Sequence, residues 1–141
     1  MATLKTNTLT GTSTAGSIAV TGEGNSTTTN LQQGLCKAWC NLDGTGTIGH
    51  LDSFNMSSPT DVGTGAFTLS FTNNMSNTSY STVGSAKEST GGTHASDGAD
   101  RLLNPSRVVL ATSDVKVTAI SLANALRDCD ENAAQICGDL A

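Results

Sequence analysis

Two histidines, His50 and His94, are the side chains of this sequence that could act as a base near neutral pH. A hydrolytic site would need one of them oriented by a carboxylate and placed beside a nucleophile. His50 lies in a predicted strand and His94 in a long polar stretch. The sequence contains no G-x-S-x-G motif, no H-E-x-x-H motif and no phosphate-binding Gly-Lys-Ser/Thr loop. We therefore predict a protein that is not an enzyme and that binds no cofactor.

Four cysteines, Cys36, Cys40, Cys129 and Cys137, are candidate metal ligands or disulfide partners. Their C-x3-C and C-x7-C spacings differ from the paired C-x2-C spacing of structural zinc sites. Four cysteines allow three disulfide pairings. Because no secretory signal opens the sequence, we expect synthesis in a reducing cytoplasm and free thiols. We favour small apolar core residues, with a disulfide or a metal site as the alternatives.

The acidic residues Asp128, Asp130 and Glu131 lie close together and invite comparison with a calcium-binding loop. The glycine and the distal glutamate of such a loop are missing. We interpret these residues as a solvated acidic turn and predict no metal site.

The composition limits the class of protein. The 141 residues include 22 Thr, 16 Ser and 15 Gly, carry a net charge of −5, and are only 13% charged, about half the usual share. This argues against a helical bundle or coiled coil. Seven scattered Lys and Arg residues give no basic patch for nucleic acid, and no apolar run approaches the roughly 20 residues of a membrane span. The classes compatible with this composition are a small Thr/Ser/Gly-rich β-domain and a partly disordered chain.

Alternation of apolar and hydroxyl side chains predicts the strands. The clearest is residues 66–72, where Phe67, Leu69 and Phe71 alternate with Thr and Ser. Residues 78–85, after a turn at 73–74, are predicted to be its return strand. Further strands are predicted at 37–41, 48–51, 53–58, 107–112 and 115–120, with a turn at 43–47 and a loop at 59–65.

The last twenty residues fit two structures. Apolar residues recur there at three- and four-residue steps, which is typical of a helix that Ser121 could cap: Leu122, Leu126, Cys129, Ala133, Ile136 and Leu140. The alternative is a loop across 121–130 followed by a strand at 132–137. Periodicity alone favours the helix.

Residues 1–24 differ from the rest because their alternating apolar positions form a face too thin to fold alone. We predict an extended N-terminal arm at 1–24 that attaches to another protein, followed by a β-rich module at 25–141. A frayed terminus is the alternative. The residues predicted to make the attachment are Leu4, Leu9, Ile18 and Val20.

Several spaced blocks of the module resemble a C-terminal module of tail-fibre and virion-surface proteins of tailed bacteriophages, including marine phages. The blocks are GLCKAWCN at 34–41, GTGT at 44–47, DSFN at 52–55 and DVGTGAFTLSF at 61–71, followed by VKV at 115–117, Asp128 and QICGD at 135–139. The chain departs from the pattern at Cys40 and Cys137, which replace Val and Phe, and at Ala66, where a polar residue is usual. The resemblance covers about residues 31–140.

The resemblance implies an all-β, non-enzymatic module, a small antiparallel β-sandwich or barrel-like fold in a homotrimer. It favours a strand over a helix at 132–137 and carries over no ligand-binding residue. The implied function is a short surface appendage of the virion, a head decoration or a fibre, assembled in the host cytoplasm. Its expected partners are copies of itself and other capsid or tail proteins, without nucleic acid or membrane insertion.

Two alternatives remain open. In the first, the chain is a tail-fibre tip that binds a host surface glycan or protein through the Gly/Ser/Asp-rich segment 86–105, because loops this long are usually functional or disordered. Its candidate contact residues are Lys87, His94, Asp97 and Asp100. In the second, the chain is a carbohydrate-binding module. We expect most of its few aromatic residues to lie in the core, which argues against sugar stacking.

Overall fold

Antiparallel strands make up the regular structure of the chain. The computed structural model describes residues 3–12, 17–22, 24–87, 102–104, 110–121 and 125–141, which contain ten strands and no helix. The strands are β1 (Ala19–Thr21), β2 (Thr28–Asn30), β3 (Ala38–Asp43), β4 (Gly49–Phe54), β5 (Thr60–Gly63), β6 (Ala66–Ser70), β7 (Ser81–Lys87), β8 (Leu102–Asn104), β9 (Asp114–Ile120) and β10 (Glu131–Cys137). They divide between two compact units, Met1–Leu35 and Cys36–Ala141.

The first unit contains a two-stranded hairpin. Strands β1 and β2 pair antiparallel, and the backbone N–H of Gly22 donates to the carbonyl of Thr27 at 2.9 Å. Asn25 takes a φ of 53° in the connection, a conformation that asparagine tolerates better than most residues. The predicted boundary after residue 24 falls between these two strands. That residues 1–24 form an attachment arm stays a prediction.

The second unit is a β-sandwich of two four-stranded antiparallel sheets, in the orders β4-β3-β10-β7 and β5-β6-β9-β8. Apolar side chains at every second position of the central strands are buried, so the sheets share one core between their inner faces. The members from β3, β6, β9 and β10 include Ala38, Cys40, Leu42, Phe67, Leu69, Val115, Val117, Ala134 and Ile136. The predicted all-β antiparallel sandwich is confirmed.

The strand orders fix the two sides of the sandwich. Strand β7 lies against β8 on one side, and the sheet orders leave β4 and β5 as the edge strands on the other. No described strand pairs with the outer edge of β4 or β5. These edges therefore present unpaired backbone groups.

Tyr80 fastens the segment before β7 to the opposite sheet. Its ring packs edge-on against Phe71, with ring centroids 5.8 Å apart, and its hydroxyl lies 2.9 Å from the carbonyl oxygen of Ala111 and 3.0 Å from that of Asp114. Burial, together with the Asp114 carboxylate, raises the pKa of Tyr80 to about 12. The hydroxyl is therefore protonated, and can donate, over the whole physiological range.

The predicted pairing of residues 78–85 with 66–72 is wrong. Strand β7 pairs with β10 in the other sheet, whereas β6 pairs with β5 and β9. The connection after Phe71 crosses between sheets instead of forming a hairpin, since Met75 bridges Leu140 and Tyr80 bonds to the start of β9. Pairing with distant segments replaces the local hairpin.

Two predicted boundaries also need correction. The predicted loop at 59–65 contains β5, whose Asp61 side chain accepts the Gly63 N–H at 2.9 Å around a bulge. Bulges tolerate glycine and turn-forming residues. The bulged strand β5 therefore has a composition that resembles a loop, which explains the wrong prediction. The two predicted strands at 48–51 and 53–58 are one strand, β4, followed by an isolated bridge at Met56.

The C-terminal strand is confirmed and the helix is wrong. In β10 the alternate residues Asn132, Ala134 and Ile136 are buried, with the period of two that a strand requires. Of the predicted strand at 107–112, residues 110–112 are described, and Leu110 bridges Val115. Residues 105–109 lie outside the described part of the chain.

Candidate functional site

Asn55, in the DSFN block, locks a corner of the sandwich. It follows β4 at a φ of 55°, and its side-chain oxygen accepts the backbone and side-chain N–H groups of Asn73 at 2.8 and 3.0 Å. Its amide nitrogen donates to the carbonyls of Lys37 and Asn73 at 3.0 and 3.1 Å. The Asn55 side chain therefore uses both of its donor and both of its acceptor positions in hydrogen bonds within the protein.

Asp128 and Gly65 join the β5–β6 turn to the segment before β10. The carboxylate of Asp128 accepts the Gly65 N–H at 2.6 Å, and the carbonyl of Gly65 accepts the N–H of Ala119 at 2.8 Å. This carboxylate therefore holds a turn. Among the described residues, no group of three His, Cys, Asp or Glu side chains lies close enough together to hold a metal ion.

Asp43 organises the turn after β3. Its carboxylate accepts the backbone N–H of Thr45 at 2.8 Å and the hydroxyl of Thr45 at 2.7 Å. These bonds to the charged form hold the pKa of Asp43 below its usual value. The predicted turn at 43–47 is confirmed, with Asp43 as the last residue of β3.

The cysteines are free thiols in two environments. Cys40 and Cys129 are buried in the core, as predicted, whereas Cys36 and Cys137 are half-buried. Burial raises the pKa of the Cys40 thiol to about 11, so it is protonated and unreactive at neutral pH. The Cys36 thiol donates to the carbonyl of Ala38 at 3.1 Å.

His50 is engaged by a loop. Its Nε2 lies 2.7 Å from the carbonyl oxygen of Ser57, and a carbonyl only accepts, so the proton is on Nε2. Its Nδ1 is buried without a hydrogen-bond partner. This arrangement connects β4 to the segment after it and presents no base to a substrate. His94 lies outside the described residues.

The predicted host-contact residues are only partly described. Lys87, at the end of β7, forms an ion pair with Glu131 at 2.9 Å, and this hydrogen bond raises the pKa of the Lys87 ammonium. Both side chains are largely exposed, so the pair contributes little stability. His94, Asp97 and Asp100 lie outside the described residues. That these four residues form one contact surface stays a prediction.

The predicted attachment residues are at the surface of the first unit. Leu4, Leu9 and Val20 are exposed, and Ile18 is half-buried. Leu9 and Ile18 line a depression of about 280 Å³ together with Leu31. Their role in attachment stays a prediction.

The outer face of the β4-β3-β10-β7 sheet contains a groove. It has a volume of about 490 Å³. We call it the Trp39 groove; it is lined by Trp39, Cys40, Asn41, Val83, Gly84, Ser85, Ala133, Ala134 and Gln135. Three of the five aromatic residues, Phe67, Phe71 and Tyr80, are buried, as expected. The exceptions are Trp39, which is 36% exposed, and Phe54, which is 53% exposed.

No family model matches the chain, and it matches no curated protein and no solved structure. The part of the chain that the structure describes contains no helix long and apolar enough to cross a membrane.

The sequence contained a signal for the groove that our interpretation missed. Ala38, Cys40 and Leu42 occupy the inward positions of β3, so alternation puts Trp39 and Asn41 on the outer face.

Proposed function

We propose that the chain is a non-enzymatic structural protein of a tailed-bacteriophage virion. It forms a short homotrimeric surface appendage, a head decoration or a fibre, that is assembled in the host cytoplasm and attached to the capsid or tail through residues 1–24. The resemblance of residues 31–140 to tail-fibre modules supports the phage origin. The threefold symmetry also comes from that resemblance.

The residues that carry the resemblance support a structural role. Asn55, Gly65 and Asp128 connect strands and turns of the sandwich through hydrogen bonds to the protein itself. Residues with these contacts specify a fold rather than a reaction. A recurring module built on such residues suits a rigid appendage.

The observation that carries self-association is a set of exposed apolar side chains on the two edge strands β4 and β5, which we call the β4–β5 edge. Leu51, Phe54 and Val62 are 58%, 53% and 62% exposed there, on two strands whose outer edges pair with no described strand. Packing of identical copies against this β4–β5 edge buries the three side chains, and a closed ring leaves none of them at a free end.

Replacing Val62 with lysine tests the assembly. A charged side chain at a self-associating edge opposes association, because burying an unpaired charge is costly. We expect the parent chain to have about three times the 14.3 kDa chain mass and Val62→Lys to be monomeric. Analytical ultracentrifugation measures both masses, and circular dichroism checks that the fold is kept.

Val83→Lys is the matched control, because Val83 is also 62% exposed but lies on β7, away from the β4–β5 edge. This variant should keep the parent mass. A monomeric parent chain, or equal dissociation of both variants, contradicts assembly through this edge.

The location on the particle is tested with antibodies against the folded chain. Immunogold electron microscopy of phage particles that contain the protein should place gold on the outer surface. Gel densitometry then gives the copy number, which is high for a head decoration and low for a fibre. Presence of the protein only in infected cells, and never on purified particles, contradicts the proposal.

A further inference from the structure

The register of three strands builds the Trp39 groove. Gln135 of β10 lies opposite both Trp39 of β3 and Val83 of β7, so these three residues form one row across the sheet. Ala133 lies two residues earlier in β10, on the same face, opposite Asn41 and Ser85. A single methyl group thus lies between larger neighbours, and this leaves the depression.

The groove combines one aromatic surface with neutral polar groups. Ligand pockets of on the order of 300–1,000 Å³ usually pair apolar walls with a few polar groups, and the volume of about 490 Å³ falls in this range. The indole of Trp39 offers an apolar face and an N–H donor. Asn41, Ser85 and Gln135 add amide and hydroxyl groups that both donate and accept.

These polar groups are available to a ligand. Within the described residues, the side chains of Asn41 and Ser85 form no hydrogen bond to protein, and the Gln135 amide makes only a long contact of 4.0 Å to the Cys137 sulfur. No charged side chain is among the residues described as lining the groove. Such a lining suits an uncharged ligand that offers several hydroxyl-type groups to replace water.

We propose that the Trp39 groove binds a neutral sugar ring of a glycan. The apolar C–H face of the ring stacks on the indole, and its hydroxyls pair with Asn41, Ser85 and Gln135. An anionic ligand finds no cation in the groove, and a purely apolar ligand would leave these polar groups unpaired at a cost. A peptide cannot pair as a strand with β10 in the middle of the groove, because the backbone of β10 is already paired with β3 and β7. The inference does not depend on the proposed virion role.

Fluorescence of the parent chain tests the site directly, because Trp39 is its only tryptophan. Titration with neutral hexoses and their oligomers should give a saturable change in intensity or wavelength. A sulfated or uronic-acid oligosaccharide of equal length should bind more weakly. The absence of any saturable change up to millimolar concentrations, or preference for the anionic sugar, overturns the proposal.

Two variants and two controls locate the binding. Calorimetry with the best neutral oligosaccharide should show roughly tenfold or greater loss of affinity in Trp39→Ala and in Ala133→Leu, which fills the groove from an exposed position. Leu51→Ala, outside the groove, should bind as the parent does. Parent-like affinity of Ala133→Leu, verified as folded by circular dichroism, contradicts this site.

The variants of the assembly experiment separate the two proposals. Val62→Lys should dissociate and still bind sugar, whereas Val83→Lys should keep its mass and lose binding, because Val83 lines the groove. If both variants keep their fold and lose sugar binding, the binding site requires the oligomer. That result would overturn the proposal that the site lies within one chain.

Discussion

Gly65→Ala is expected to lower the free energy of unfolding by about 3 kcal/mol or more, a large part of the stability of a small domain. Gly65 has a φ of +62°, and an added Cβ would lie 2.5 Å from the Arg127 nitrogen and 2.7 Å from the Ala119 oxygen. Both are backbone atoms. The same backbone is tied by the bond from the Arg127 N–H to the Ala119 carbonyl at 3.0 Å, so it cannot move without breaking the contact between the β5–β6 turn and β9.

Gly46→Ala is the matched control for this experiment. Gly46 has nearly the same φ, +59°, but an added Cβ meets nothing within 4 Å. Its substitution should cost only about 1 kcal/mol, the usual penalty for a left-handed backbone without glycine. Chemical denaturation of both variants gives the comparison. Equal losses would show that backbone strain, and not the crowding at Gly65, determines the effect.

Asn132→Asp is expected to destabilise the sandwich by about 3–5 kcal/mol at neutral pH, the range for an uncompensated buried charge. Asn132 is 1% exposed, and its amide nitrogen donates to the carbonyls of Cys129 and Leu42 at 2.7 and 3.3 Å. A carboxylate would put negative charge against these two oxygens. Protonation restores one donor, so the variant should be more stable in acid and lose stability as the pH rises.

The control for this substitution is Asn77→Asp. Asn77 is exposed, and its side-chain oxygen accepts the Ser79 N–H at 2.7 Å, a role that a carboxylate keeps. Its stability should change little. Denaturation curves measured across a pH series distinguish the two variants. A flat pH dependence for Asn132→Asp would mean that the introduced group reaches water.

The all-β fold was accessible to sequence reasoning where alternation is regular. Phe67 and Leu69 alternate with hydroxyl residues, and both are buried in β6. In β10 the buried Asn132 interrupts the apolar alternation, so a helical spacing of Cys129, Ala133 and Ile136 looked stronger. Only the resemblance to known modules favoured the strand. A polar residue that bonds inside a core cannot be recognised from periodicity.

The pairing of strands was less accessible than their existence. Neighbouring strands in sequence often pair, and this rule placed residues 78–85 beside β6. The observed partner of β7 is β10, about fifty residues later, because Tyr80 and Met75 attach the intervening segment to other parts of the fold. Such long-range contacts leave no local pattern.

The groove could not be predicted for the same reason. Its row of Trp39, Gln135 and Val83 comes from three separate strands, so its composition can be seen only once the register is known. The side of β3 on which Trp39 lies could have been predicted from Ala38, Cys40 and Leu42. The depth of the groove could not, because it depends on the small Ala133 from a distant segment.

The central position of β10 has a consequence for synthesis on the ribosome. Strands β3 and β7 are made early, yet each needs β10 as its neighbour. The nascent chain must therefore wait, with these strands lacking that neighbour, until residue 137 has left the exit tunnel. Such delays expose aggregation-prone strands. The many threonine and serine hydroxyl groups keep these strands hydrated until β10 pairs with them.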